Sequence, residues 1–165
     1  MSMPTAALDA LSVIARQCIA LTCLARFCRR HQITHPALQA FIEHAWKIAQ
    51  LGPQDFASWE RGFAALAVTG LGDAWPDEVK SSIPHAMLGT LTTLVEHVLE
   101  TSASTWHGEN LIASRQQLEA VLRICGEHGV PTPALQRYRQ GAARLRAGWG
   151  PPLSAGELLA WRSWV

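Results

Sequence analysis

Apolar residues recur at helical spacing along nearly the whole chain, most plainly between Pro84 and His107. At about 100° per residue, Met87, Leu88, Leu91, Leu94, Val95, Val98 and Leu99 fall within an arc of about 140°, the stripe of a core-facing helix. His85, Thr93, Glu96, His97 and Glu100 lie on its wet side. Beyond Leu99 the same face continues as Ser102, Thr105 and Trp106, small residues that admit a close neighbour, with a polar pocket of Trp106, His107 and Glu109 as the sharper alternative.

The same periodicity predicts the other elements. Ala6 to Arg30 reads as one long helix, amphipathic at first and apolar on all sides from Ile19 to Cys28, as a helix surrounded by others must be. Pro36 opens a second helix, with Leu38, Phe41, Ile42, Ala45, Ile48 and Ala49 inward, which Gly52-Pro53 stops. A third, Asp55 to Thr69, aligns Phe56, Trp59, Phe63, Leu66 and Ala67 and ends at Gly70, with Glu60 on the edge of its stripe. The irregular segment GLGDAWPDEVKSSI holds one short helical piece at Pro76-Asp77-Glu78. Asn110 or Ser114, the latter with Gln117, starts a helix whose inner face is Leu111, Leu118, Val121, Leu122 and Cys125. Thr132-Pro133 opens a short helix through Arg139, and Ser154 with Glu157 makes a capping box for a terminal one. No strand-period segment and no repeat occurs, so the expected fold is a single-domain, all-α bundle of about six to eight helices. Residues 1–140 would form the bundle, and 141–165 an Arg/Gly/Pro-rich connection with a docking helix of the same domain.

Composition adds two points. Charged residues make up only 16% of the chain, and seven tryptophans are present, so apolar material is plentiful and some is expected in an interface. The net charge of +1 conceals a segregation, with +3 over residues 1–42, −6 over 43–109 and +4 over 110–165. The overall balance excludes a strongly basic nucleic-acid binder. Twelve of the fourteen basic residues are arginine, for which a coding bias is the plainer explanation than bidentate anion binding. Cys18, Cys23 and Cys28, spaced by five, cannot share a helix face, and Cys125 stands apart, which argues against zinc and for free thiols in a reducing cytoplasm. No signal peptide or membrane span is visible, because Asp9, Arg16 and Arg26 interrupt the first apolar run.

Candidate chemistry is sparse. Glu-His recurs at Glu43-His44, Glu96-His97 and Glu127-His128, but outside the apolar arcs, so surface residues are expected and neither metal nor cofactor is assigned. No phosphate loop, nucleophile elbow or zinc-protease helix is present. Arg137, Arg139, Arg144 and Arg146, with Tyr138 and Trp149 for stacking, give a nucleic-acid reading that ranks third. The segments CLARFCRRHQITHPAL, FIEHAW, DFASWE, LVEHVLETSASTWHGEN and GVPTPAL together resemble small all-helical immunity-type proteins found beside bacterial polymorphic toxins, over about residues 20–137. The resemblance implies a non-enzymatic binding protein that occludes or distorts a toxin domain, with basic nucleases a common target. A small metal-dependent helical enzyme using Glu and His is the alternative.

Two surfaces are singled out. The acidic segment Asp73, Trp75, Asp77 and Glu78, supported by Asp55, offers steering carboxylates around one large aromatic anchor for a protein partner. Leu158, Leu159, Trp161 and Trp164 are too apolar to leave in water and should dock either on their own chain or across a homodimer.

Overall fold

In the computed structural model, which describes residues 5–52 and 54–165, the order is α1 (Thr5–Asp9), α2 (Val13–Arg30), α3 (Pro36–Trp46), a 3₁₀ turn (Lys47–Gln50), α4 (Phe56–Ala64), α5 (Asp77–Ser81), α6 (His85–Ala103), α7 (Leu111–Glu127), a second 3₁₀ turn (Leu135–Tyr138) and α8 (Ala155–Arg162). The fold is all-α, with no strand among the described residues. Helix α2 is buried from Val13 to Leu24 and again at Phe27 and Cys28. It packs against both α6 and α7, which a short loop joins as antiparallel neighbours. The small residues at the end of the α6 stripe let α7 come close: Thr101 and Ser102 are fully buried, and the Ser114 hydroxyl donates to the Thr101 carbonyl at 2.6 Å.

The long helix expected over Ala6–Arg30 is broken between Asp9 and Val13. A helix that begins inside a protein must satisfy four backbone N–H groups without water. Here each has a partner. Val13 N–H donates to the Gly148 carbonyl at 2.9 Å, Ile14 N–H to Trp149 at 3.2 Å, Ala15 N–H to the Ser12 hydroxyl at 3.1 Å and Arg16 N–H to the Ser12 carbonyl at 2.9 Å. The buried Arg16 guanidinium spans the break, donating to the carbonyls of Leu8 at 3.2 Å and Leu111 at 2.8 Å. Burial, only partly offset by Asp9, lowers its pKa.

Other boundaries move for local reasons. The second helix tightens to 3₁₀ after Trp46; of the Gly52-Pro53 stop, Pro53 lies outside the described residues. Helix α4 ends at Ala64, where bonds to Gly62 and Phe63 carbonyls tighten the turn ahead of Val68 and Thr69; Val68, not the exposed Ala67, points inward. Asn110 caps α7 by accepting from Ala113 N–H, leaving Ser114 to the core, and Leu111 is 36% exposed instead of inward. His44 is half-buried: its Nε2–H donates to the Trp59 carbonyl at 2.7 Å and its ring meets Phe63 edge-on at 4.6 Å. Gly62 makes this possible, since a Cβ there would overlap the imidazole. His97 reaches across to Gln117 at 2.6 Å, and Glu96 and Glu127 are exposed. All four cysteines are buried and free; burial pushes the Cys28 thiol up to about 12, and Cys125 Sγ lies 3.8 Å from the Cys23 carbonyl.

Gly150 has φ +79°, and a Cβ there would lie 2.7 Å from that of Ser12, against the cap of α2. Gly150→Ala should therefore destabilise by about 2 kcal/mol or more. Gly89→Ala, on the exposed face of α6 with open space around it, should stabilise by roughly 0.5–1 kcal/mol. Urea titrations of the two variants check both signs.

His31 ends α2 with its ring 4.6 Å from Phe27 and 5.7 Å from His128. Burial first, then His128 and Arg30, hold its pKa below the ordinary 6.5, while a backbone bond from the His128 side opposes them. A depressed folded pKa means that protonation favours the unfolded chain. The contribution is fully present above about pH 6.5 and is lost as pH falls through the lower folded value. Melting temperature should fall on acidification from neutral pH to about pH 5, and less steeply in His31→Gln.

Candidate functional site

The acidic segment leaves the core at Gly70, whose φ of +73° and close approach to Phe41 and Leu99 leave no room for a side chain. Thr69 then organises the turn: its hydroxyl accepts from Leu71 N–H at 3.0 Å and donates to the Asp73 carboxylate at 2.9 Å. After Pro76, α5 presents Asp77, which pairs with Lys80 at 2.7 Å, so that the lysine's hydrogen bond and charge hold its carboxyl below the usual range.

Trp75 does not stand at the centre of this surface. It is only 8% exposed and joins the core together with the fully buried Val79, so the expected aromatic anchor is spent holding the segment down. The large apolar side chain left outside is Leu71, 48% exposed, with Asp73, Asp77 and Glu78 exposed on the same segment. Nothing in the composition distinguishes Leu71 from Trp75 as the outward residue; in the structure Leu71 lies between two left-handed glycines, Gly70 and Gly72, the latter at φ +90°. Asp55 is exposed at the start of α4, and no hydrogen bond or ion pair joins it to the segment among the described residues.

The tail docks on its own chain. Ser154 and Glu157 form the expected capping box, at 3.2 and 2.7 Å, and those bonds lower the Glu157 pKa. Trp161, 6% exposed, and Trp164 meet Tyr138 edge-on at 5.1 and 5.0 Å, and the buried Tyr138 hydroxyl is 3.1 Å from Thr22 Oγ1 on α2. Arg26 donates to the Trp164 carbonyl, and Arg162 pairs with Glu43 while stacking on Trp46. Leu158 is half-buried in this contact, whereas Leu159 is 74% exposed and takes no part.

The remaining candidates separate. Glu60 pairs with the exposed His107 at 2.8 Å, so His107 and Glu109 are outside any pocket with Trp106. No three metal-ligating side chains gather among the described residues. In the Arg-rich stretch, Arg146 is half-buried and bonded to the Leu51 carbonyl and Tyr138 is buried, leaving Arg137, which lies over the Trp164 ring, and Arg139 and Arg144 exposed. No described helix is long and apolar enough to cross a membrane. Comparison with protein-family models, curated proteins and solved structures finds nothing that matches this chain.

Trp75→Ala and Trp161→Ala should each destabilise by about 3 kcal/mol or more, as truncated core aromatics do. Asp77→Ala and Leu159→Ala should stay within about 0.5 kcal/mol. Chemical denaturation of the four variants tests the assignment, and a Trp75→Ala protein as stable as the parent would return that side chain to the surface.

Proposed function

We propose that this chain is a non-enzymatic protein-binding module of the immunity type, acting in the cytoplasm by direct contact with a basic toxin domain. The observation that carries the reading is the exposed Leu71 on a segment with Asp73, Asp77 and Glu78, tied to the core by Trp75 and Val79. An exposed apolar side chain with charged neighbours on a fixed backbone is the composition of a binding patch: the apolar group supplies contact area and the carboxylates steer a cationic partner. Because Trp75 and the Thr69 turn already hold the backbone, little ordering cost remains to be met on association. The surplus negative charge of residues 43–109 adds to the attraction.

The test is co-expression with the product of the neighbouring gene, followed by binding kinetics on the purified pair. Protection of the host cell is expected. Leu71→Arg should raise Kd by about tenfold or more. The double change Asp77→Lys, Glu78→Lys should slow association by roughly tenfold at low salt and much less at high salt. Absence of protection, or zinc, iron or manganese retained stoichiometrically through chelation, would overturn the binding-module reading. An unchanged Kd in both variants would remove this surface from it.

A further inference from the structure

The C-terminal end of α2 carries Arg26, Arg29 and Arg30 at i, i+3 and i+4, neighbours on one face of the helix. All three line an open groove of about 570 Å³, whose other walls are the turn at 129–131 and the tail at Val165. It shares no residue with the acidic segment, and no Asp or Glu side chain lines it. The arginines are not needed to finish their own helix. Three of its last carbonyls are taken by backbone donors: Phe27 by His31 N–H at 3.1 Å, Cys28 by Ile33 at 2.8 Å and Arg29 by Gln32 at 3.2 Å.

Two of the guanidinium groups are seated on different walls. Arg26 donates through Nη2 to the Trp164 carbonyl, next to Val165. Arg30 donates through Nε to the His128 carbonyl at 3.0 Å, and its Nη2 lies against Gly129, where a Cβ would stand only 2.7 Å away. Each anchor uses one of several donors. Arg30 is exposed and Arg26 half-buried, so the rest of each fork is left to water, and Arg29 is exposed with no partner at all among the described residues. None of the three forms an ion pair there. In the adjoining groove, which also includes Arg29, the acid Glu43 is spent on Arg162. A fourth cation, the exposed Arg137, lies 5.7 Å over the ring of Trp164, the residue whose carbonyl holds Arg26.

Like charges gathered without a counter-charge make a field that draws anions. We infer that this groove binds a diphosphate group, with one phosphoryl on the Arg26 fork, the other on the Arg30 fork and Arg29 as the third cation. Guanidinium forks match phosphoryl oxygens in bidentate fashion, and each phosphoryl group carries up to about two negative charges near pH 7. Arg26 and Arg30 stand about 6 Å apart along the helix axis, at 1.5 Å per residue, and are held on different walls. A single tetrahedral ion therefore engages one fork, where two linked phosphoryl groups engage both. The Trp164 and His128 carbonyls already fix these forks, so binding breaks neither bond and orders chiefly Arg29.

Inorganic pyrophosphate is the probe, titrated into the full chain at fixed ionic strength by calorimetry and by ¹H–¹⁵N amide spectra, with ADP and sulfate alongside. One-to-one binding with Kd of about 0.1–1 mM is expected, with the largest shifts at Arg29, Arg30, Gly129 and Val165. ADP as tight as pyrophosphate or tighter supports a nucleotide as the source of the diphosphate, and weaker ADP supports the inorganic ion. Sulfate, one tetrahedral dianion, should bind at least about tenfold more weakly than pyrophosphate. Arg29→Gln removes no contact within the protein, so it should keep the melting temperature and weaken pyrophosphate by about tenfold. Arg144→Gln, exposed outside the groove, should leave the affinity unchanged. Arg30→Gln also frees the His128 carbonyl and should lose both binding and some stability. No saturable binding below about 10 mM, equal affinity for sulfate and pyrophosphate, or the same affinity in Arg29→Gln as in Arg144→Gln would each overturn the proposal.

Discussion

A buried helix start is the constraint on which this structure depends. The first four N–H groups of α2 lie out of reach of water, and the chain satisfies them with one serine and with two carbonyls from residues more than 130 positions away in sequence. Meeting that demand fixes the 141–153 segment. The left-handed run at Arg146, Ala147 and Gly148 directs the carbonyls of Gly148 and Trp149 towards α2, Gly150 lets the backbone pass Ser12, and Leu153 N–H reaches the Ala49 carbonyl at 2.7 Å. The same turn brings Arg146 and Trp149 beside Phe56 and Trp106, around a cavity of about 260 Å³.

Arginine does more inside this protein than its surface charge suggests. Arg16 joins the ends of α1 and α7 through the Leu8 and Leu111 carbonyls, Arg26 holds the Trp164 carbonyl, Arg30 holds that of His128 at 3.0 Å, and Arg146 holds Leu51 and Gly150. Four of these acceptors, Trp164, His128, Leu51 and Gly150, lie just past the end of a helix or turn, where carbonyls are left open, and closing them is a task suited to a fork of several donors. The positive balance of the two outer thirds is in this respect structural. The acidic middle third has fewer such duties: Asp73 and Asp77 bind their neighbours, and Glu78 makes no ion pair among the described residues.

The sequence made legible what depends on one element at a time. The apolar arc of α6, the left-handed stop at Gly70, the Ser154–Glu157 box and the need of Trp161 for cover all follow from local spacing or bulk. What it concealed depends on two distant segments. The interruption before Val13 is invisible in an apolar run whose Ser12 finds its purpose through Gly148 and Gln140. His44 reads as surface until Gly62, on another helix, opens room for its ring. Trp75 looks like an anchor for a partner because periodicity cannot tell which face of an irregular segment turns inward. Arg146 and Trp106 each stand out in the sequence, for phosphate tracking and for a polar pocket, but their juxtaposition is a property of the fold alone.

Residues 148–150 complete a helix that starts at Val13, and this imposes an order in time. During synthesis at 5–20 residues per second, α2 waits roughly 7–27 s before the carbonyls that finish its first turn have been made. Until then its most apolar face is offered to whatever is near, and the nascent chain is at its most adhesive. Once the loop arrives the two ends of the molecule are locked together, so that neither can be peeled away without exposing the centre.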